Sequence, residues 1–316
     1  MRYRRLGDSD LHVSALSFGC GNFGGLGSAA HLFGQGDDEK TARAMLDTVF
    51  EAGVTMFDTA DSYGGGRSEE WLGRWLADRG VRDRVVVATK VGNRVGPDPG
   101  AAGLSERHIR GQVETSLRRL RTDRIDLYLT HVHDPGTPVE ESVAAFDRLA
   151  REGKIRYYGM SNFTGAQLSE AVAAADRLGA ARPVNLQDDY NLINSTAAFA
   201  ACAAAGVGFT AYSPLAGGLL TGKYRTGTPA GSRRALLPGW YTHHGDGHVQ
   251  RVAARLQEVA AERGLPPATL ALAWVLAEPA VVSALVAPRS QAQFAALLAA
   301  PEVPLTPDER ARLIAS

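Results

Sequence analysis

Short β-type runs alternate with amphipathic helical runs along the whole 316-residue chain, and few architectures accept that rhythm. ALSFG, from residue 15, reads as a strand. Asp37 and Asp38 then offer a cap to a helix with Met45, Leu46, Val49 and Phe50 on one face, and Gly53 stops it. TMFD is the next strand, followed by a helix around SEEWLGRWLADR. VVVATK precedes a helix capped by Ser105, with Ile109, Val113, Leu117 and Leu120 in register. IDLYLTH leads into a helix carrying Val139, Val143, Phe146 and Leu149 and closed by Gly153. IRYYGMS, VNLQ, GFTAYS and VVSALV bring the series to eight strands, the last followed by SQAQFAALLAA.

Such alternation produces a parallel sheet, because each helix carries the chain back to start the next strand in the same direction. The favoured fold is α/β, a single (β/α)8 TIM barrel forming one domain over residues 1–316; an open doubly wound sheet is the rival. No linker divides the chain. YRRLGDSDLHVS falls outside the strand count and reads as an N-terminal β-hairpin that plugs the bottom of the barrel. Hydrophobic residues make up 45% of the chain and charged ones 22%, which suits a large core. Two connections at the carboxyl ends of strands are long. Pro214 to about His248 far exceeds the usual connection of about 4–6 residues and reads as a lid or cofactor clamp. GNFGGLGSAAHLFGQGDDE, after the first strand, is placed to wall a pocket.

Composition excludes several classes. Thirty-four Lys+Arg balance 34 Asp+Glu, so no net field draws nucleic acid or an anionic membrane. Cys20 and Cys202 have neither disulfide-framework nor metal spacing and read as free thiols in a reducing compartment. MRYRRLGDSDLHVSALSFG has no apolar block of signal-peptide length, and ALAWVLAEPAVVSALVAP is interrupted by Glu278 and Pro279. A cytoplasmic protein without membrane partners is the expectation.

Four polar residues stand at or just after strand ends: Asp58, Tyr63, Lys90 and His131. Strand parity puts Lys90 on one face with Val86 and Ala88, and His131 with Ile125, Leu127 and Leu129, so both point inward. A lone buried ammonium is costly without a partner. In a barrel these positions converge on the rim where active sites of this fold lie. Tyr63 then acts as proton donor to a carbonyl oxygen. A phenol with a reference pKa of about 10 is a poor acid near neutrality. The Lys90 ammonium favours phenolate, Asp58 holds Lys90 in place, and His131 hydrogen-bonds the same carbonyl oxygen. Taken one by one, Asp58 also suits a turn cap, Tyr63 an exposed loop tyrosine and His131 a satisfied core histidine.

The segments FDTADSYGGGRSEEWLG, VVVATKVG, TDRIDLYLTHVHD, GKIRYYGMSNF, NLQDDYNLIN and AYSPLAGGLLTGKY together resemble the aldo-keto reductases over nearly the whole chain. The compact Gly-rich loops and GLLTGKY are similar to the bacterial branch and to the potassium-channel β-subunit-like branch. The resemblance implies a (β/α)8 barrel that uses NADPH/NADP+ for reversible reduction of aldehydes or ketones, a small-molecule carbonyl being the partner. It implies Tyr63 as acid/base, with Asp58, Lys90 and His131 in support. It also implies Ser161, Asn162 and Gln187 on the nicotinamide carboxamide, which offers donor and acceptor together, and Tyr212 stacked on the ring. Ser213, Pro214, Leu215, Gly217 and Lys223 are implied around the pyrophosphate, with Arg289, Ser290 and Gln293 at a 2′-phosphate. The chain departs from the family where adenine is held. Ala296 and Leu297 replace an acidic residue and an asparagine, and Val286 replaces a proline, which leaves room for some NADH use. The arginine expected shortly after YNL is absent from NLINSTA.

Two loops supply candidate substrate residues: Phe23, His31, Phe33, Trp240 and Tyr241, an aromatic mouth suited to a bulky or sugar-like carbonyl. Other motifs lead elsewhere. Gly19, Gly21 and Gly24 satisfy G-x-G-x-x-G, but no helix follows to meet a pyrophosphate. Gly217 to Lys223 nearly spells a phosphate-binding loop, but Tyr224 stands at the Ser/Thr position. His131 and His133, with His243, His244 and His248, suggest a metal-dependent hydrolase; no further carboxylate set supports it, and no metal is expected. The other alternative is a redox-sensing subunit that keeps the cofactor pocket with little turnover.

Overall fold

A computed structural model describes residues 1–98, 100–241 and 246–314. The chain opens on a two-stranded antiparallel hairpin, β1 (Tyr3–Arg5) and β2 (His12–Ser14). Eight parallel strands follow: β3 (Leu16–Gly19), β4 (Met56–Asp58), β5 (Val86–Val91), β6 (Ile125–Thr130), β7 (Ile155–Ser161), β8 (Asn185–Asp189), β9 (Gly208–Tyr212) and β10 (Val281–Val286). Each hydrogen-bonds its sequence neighbour, and β10 returns to β3, closing the barrel. The open doubly wound sheet is excluded, since closure leaves no sheet edge.

Helices α1 (Glu39–Glu51), α2 (Arg67–Arg79), α3 (Glu106–Leu120), α4 (Val139–Arg151), α5 (Gly165–Leu178) and α6 (Phe199–Ala205) alternate with the strands. Next come α7 (Arg233–Leu236), α8 (Asp246–Glu262), α9 (Pro267–Leu276), α10 (Gln291–Leu298) and α11 (Pro307–Ile314). The caps follow the local chemistry. Asp38 accepts from Thr41 N at the start of α1, and Ser105 from His108 N at the start of α3. Among the described residues no helix is long and apolar enough to cross a membrane.

Period-two alternation divides the core into two layers. Met56, Val86, Ala88, Leu127 and Leu129 fill the barrel interior, while Phe57, Val87 and Tyr128, from the same strands, pack outward against the helices. Leu6, Leu11 and Val13 of the hairpin join the inner layer, so the hairpin seals the amino-terminal mouth as its sequence suggests. Its turn lies close against the barrel: a Cβ on Gly7, at φ +53°, would sit 2.2 Å from Val184 O. That leaves the opposite, carboxyl-terminal mouth for chemistry.

The long connection after β9, read as a lid or cofactor clamp, carries secondary structure of its own. It holds a 3₁₀ segment (Ala216–Thr221), α7 capped by Ser232, a second 3₁₀ turn (Pro238–Tyr241) and the first turn of α8. Capping hydroxyls and i→i+3 bonds satisfy backbone groups that Gly and Pro richness alone would leave to water.

Candidate active site

Asp58 is the last residue of β4, Lys90 lies near the end of β5, and His131 follows β6 directly, so strand geometry aims all three into the open mouth. Tyr63 starts the turn between β4 and α2. Behind that turn lies a polar brace the sequence reading did not identify. Arg119 Nη1 donates to Asp61 O at 3.0 Å and to Glu69 Oε2 at 3.2 Å, while Thr89 Oγ1 donates to Glu69 Oε1 at 2.7 Å. Gly66, at φ +96°, makes room for it, because a Cβ there would lie 2.5 Å from Arg119 Cζ. The one local signal was a glutamate in the first turn of α2 on its inward face.

Lys90 Nζ donates to Asp58 Oδ1 at 2.5 Å and to Thr59 O at 3.0 Å; Lys90 is 1% exposed and Asp58 2%. Gln187 Nε2 donates to the other oxygen, Asp58 Oδ2, at 2.9 Å. The Lys90 ammonium lies 5.2 Å from the centre of the Tyr63 ring. Tyr63 OH lies 3.5 Å from His131 Nε2, with the two rings edge to face at 77°. Burial pushes the Tyr63 phenol above its ordinary value and Lys90 opposes that rise, so the phenol rests protonated. The Lys90 ammonium favours phenolate, as expected of a neighbouring cation, but desolvation outweighs it. Burial, helped by Lys90, drives the His131 imidazole well below its usual range, so the ring is neutral. Among the described residues, His131 Nδ1 has no hydrogen-bond partner. The tautomer with its proton on Nε2 leaves only a lone pair unmatched there and aims a donor at the phenol oxygen.

That neutral ring has a thermodynamic consequence. An unfolded chain protonates His131 near the ordinary value of about 6.5, whereas the folded protein resists protonation until the pH is well below it. Stability therefore falls as the pH drops through about 6.5, by up to about 1.4 kcal/mol per pH unit. Melting curves of the parent and of His131→Asn between about pH 7.5 and about pH 5.5 measure this. The variant should lose less stability on acidification; parallel losses would reject the neutral-ring assignment.

A cavity of about 420 Å³ opens over these residues, lined also by Gly21, Leu26, Gly27, Ser28, Ala29, Ser161, Asn162, Gln187, Tyr212 and Leu237. A second cavity of about 590 Å³ adjoins it, lined by Pro214, Leu215, Gly217, Lys223, Gln293, Ala296 and Leu297 among others. Ser213, Arg233, Leu285 and Ala287 line both and mark the junction. Arg233 Nη2 donates to Asn22 Oδ1 at 2.8 Å, tying the connection after β9 to the one after β3. The sequence reading gave no site role to Arg233 or to Ser28 individually.

Asn162 lines the first cavity, but its amide is engaged within the protein. Its Oδ1 accepts from Tyr212 OH at 2.7 Å, and its Nδ2 donates to His131 O at 2.8 Å and Ser161 Oγ at 3.2 Å. It sits at φ +59° and links the Tyr212 ring to the backbone of His131. Arg289 and Ser290 line neither cavity. Arg289 Nε pairs with Asp37 Oδ1 at 2.7 Å, and Ser290 caps α10 by accepting from Gln293 N. Burial raises the Asp37 carboxyl against the pull of Arg289.

The expected aromatic mouth is corrected at Phe23, His31 and Phe33, none of which lines the cavity. Phe23 is 1% exposed and packs with Phe18 and Trp71 in the outer core, where a large ring buries more area than at a wet rim. Phe33 lies on the backbone of Gly65, and His31 is exposed. The side chains of Trp240 and Tyr241 lie outside the described residues, as do His243 and His244. Among the described residues, small and aliphatic ones stand at the mouth: Leu26, Gly27, Ala29 and Leu237. Among the described residues, no group of three or more His, Cys, Asp or Glu could hold a metal ion.

Comparison with known proteins gives a consistent result. A family model described as the aldo/keto reductase family matches residues 15–315. The chain is 37% identical to the "uncharacterized oxidoreductase YrpG" of Bacillus subtilis, over 96% of this chain and 92% of that one. It is 36% identical to a "probable voltage-gated potassium channel subunit beta" of Arabidopsis thaliana, over 93% and 89%. It is 32% identical to the "L-glyceraldehyde 3-phosphate reductase" of Escherichia coli K12, over 90% and 83%.

Proposed function

The chain belongs to the aldo/keto reductase family, and from that premise we propose that it is an NADPH-dependent reductase of aldehyde or ketone carbonyls with Tyr63 as proton donor. One observation carries the proposal: the half-buried Tyr63 hydroxyl lies 3.5 Å from His131 Nε2, in a cavity shared with the ion-paired Lys90 ammonium. The adjoining cavities fit an extended dinucleotide. At one end stand Tyr212 as a platform and Ser161 and Gln187 as hydrogen-bonding partners. Lys223 and Arg233 offer positive charge near the junction, and Ala296, Leu297 and Pro288 line an apolar slot beyond. Because Asp58 can only accept, Gln187 must turn its NH₂ toward it, leaving Oε1 to receive a carboxamide N–H. NADPH held there by Ser161, Gln187 and Tyr212 would supply the hydride for the carbonyl carbon.

The residues do the rest. Tyr63 OH donates its proton to the carbonyl oxygen as charge develops on it, and His131 Nε2–H donates a hydrogen bond to the same atom. The Lys90 ammonium stabilises the phenolate left behind, and Asp58, held by Gln187, keeps Lys90 from straying. Purified protein should oxidise NADPH when offered aldehydes and ketones. Bound cofactor with no turnover across a broad carbonyl panel would favour the sensor role suggested by the channel-subunit relatives.

Arg289 is the residue we assign to the 2′-phosphate, for which it must exchange Asp37. Arg289→Met should then reduce the NADPH-over-NADH preference by about tenfold or more, the worth of a charged hydrogen bond. Cofactor titrations of parent and variant measure it. An unchanged preference would leave Arg289 as a partner of Asp37 only.

A further inference from the structure

Ser28 occupies an unusual position. It lines the catalytic cavity, and its Oγ lies 2.8 Å from the Oγ of Ser62, the residue before Tyr63. Asn93 Nδ2 donates to the same Ser28 oxygen at 3.2 Å. The backbone around it is fixed, because Gly64 N donates to Gly27 O at 3.0 Å and Gly27 N donates to Gly21 O at 2.7 Å. The loop bearing Ser28 is thus fastened to the turn bearing Tyr63, and the hydroxyl is held in place in the cavity that Tyr63 also lines.

A hydroxyl has three hydrogen-bonding valences, one donor and two acceptors. Among the described residues Ser28 Oγ has two partners, Ser62 and Asn93. If Ser62 donates to it, the Ser28 proton is free; if Ser28 donates to Ser62, a lone pair is free. Either way one valence is left unfilled among the described residues, on a half-buried side chain that lines the cavity. A ligand hydroxyl, both donor and acceptor, meets either case. A methylene meets neither and leaves the valence unmatched in a site partly shielded from water. The neighbouring wall, Leu26, Ala29 and Leu237, offers no competing polar group from its side chains.

We infer that Ser28 makes this site selective for hydroxy-carbonyl substrates, those bearing a hydroxyl close to the reacting carbonyl. The inference deepens the proposed reductase activity and rests on it. Lactaldehyde and propanal differ by one hydroxyl and make the comparison. The parent should favour lactaldehyde in kcat/KM by about tenfold or more. In Ser28→Ala the ratio should fall toward one, with most of the loss on lactaldehyde, and Ser28→Thr should restore much of it. A parent ratio near one, or an equal fall on both substrates in Ser28→Ala, overturns the assignment and makes Ser28 a loop fastener.

Binding without turnover separates this inference from the activity itself. Saturation-transfer NMR on the NADP+-loaded protein can compare 1,2-propanediol with 1-propanol. A preference for the diol in the parent that disappears in Ser28→Ala supports the Ser28 site even if neither aldehyde is reduced. No preference overturns it. Absence of reduction by the parent counts separately against the reductase reading.

Discussion

Tyr63→Phe is expected to lower kcat for carbonyl reduction by about 10²–10⁴-fold, the usual contribution of a positioned general acid. The substitution removes one oxygen and keeps the ring, whose edge-to-face contact with His131 and proximity to the Lys90 ammonium hold the local packing. NADPH affinity should therefore stay near the parental value, and the loss should fall on kcat rather than KM. Residual activity is expected, because His131 Nε2 still offers a hydrogen bond to the carbonyl oxygen. Steady-state rates with a fluorescence titration of NADPH test both parts. A variant that turned over an aldehyde at the parental rate would falsify the proton-donor assignment.

The second large effect concerns stability. Lys90 and Asp58 form a nearly fully buried ion pair. Removing one partner leaves the other charge desolvated and uncompensated, at a cost of about 3–5 kcal/mol. Lys90→Met should show that full loss, because Gln187 alone remains on the Asp58 carboxylate. The double variant Asp58→Asn/Lys90→Met should recover much of it, since no net charge is then buried. Urea denaturation of the two single variants and the double variant measures the coupling, and strict additivity would reject a compensated pair.

The alkaline limb provides an independent check. Burial alone would lower the Lys90 pKa, but Asp58 and then Tyr63 overcome it, and the folded value is raised. The pair's contribution is thus fully present below the ordinary lysine value of about 10.5 and is lost as pH rises through the folded one. Lys90→Met should lack that alkaline loss.

The four-residue cluster was legible because it depends on local rules. Parity along VVVATK and IDLYLTH determines which way Lys90 and His131 point once Val86, Ala88, Leu127 and Leu129 are committed to the interior. Asp58 and Tyr63 follow from a strand end and the turn after it. The engagement of Asn162 by Tyr212 was not legible, because an amide's orientation depends on partners 31 and 50 positions away. Nor was the pairing of Arg289 with Asp37, across 252 residues. Loop aromatics misled for a related reason. Phe23 goes where the most area is buried, and that site exists only after Phe18 and Trp71 have been brought together.

Periodicity, capping residues and turn glycines, all acting within a few positions, were sufficient to specify the eight barrel strands, helices α1 to α4 and the inward faces of Lys90 and His131. Closure of the barrel decided what those faces meet. It set how deeply Tyr63, Lys90 and His131 are desolvated, and hence which of them carry protons at rest. Protonation depends on the surrounding medium and on charges contributed by other strands, and neither exists until the chain has come together.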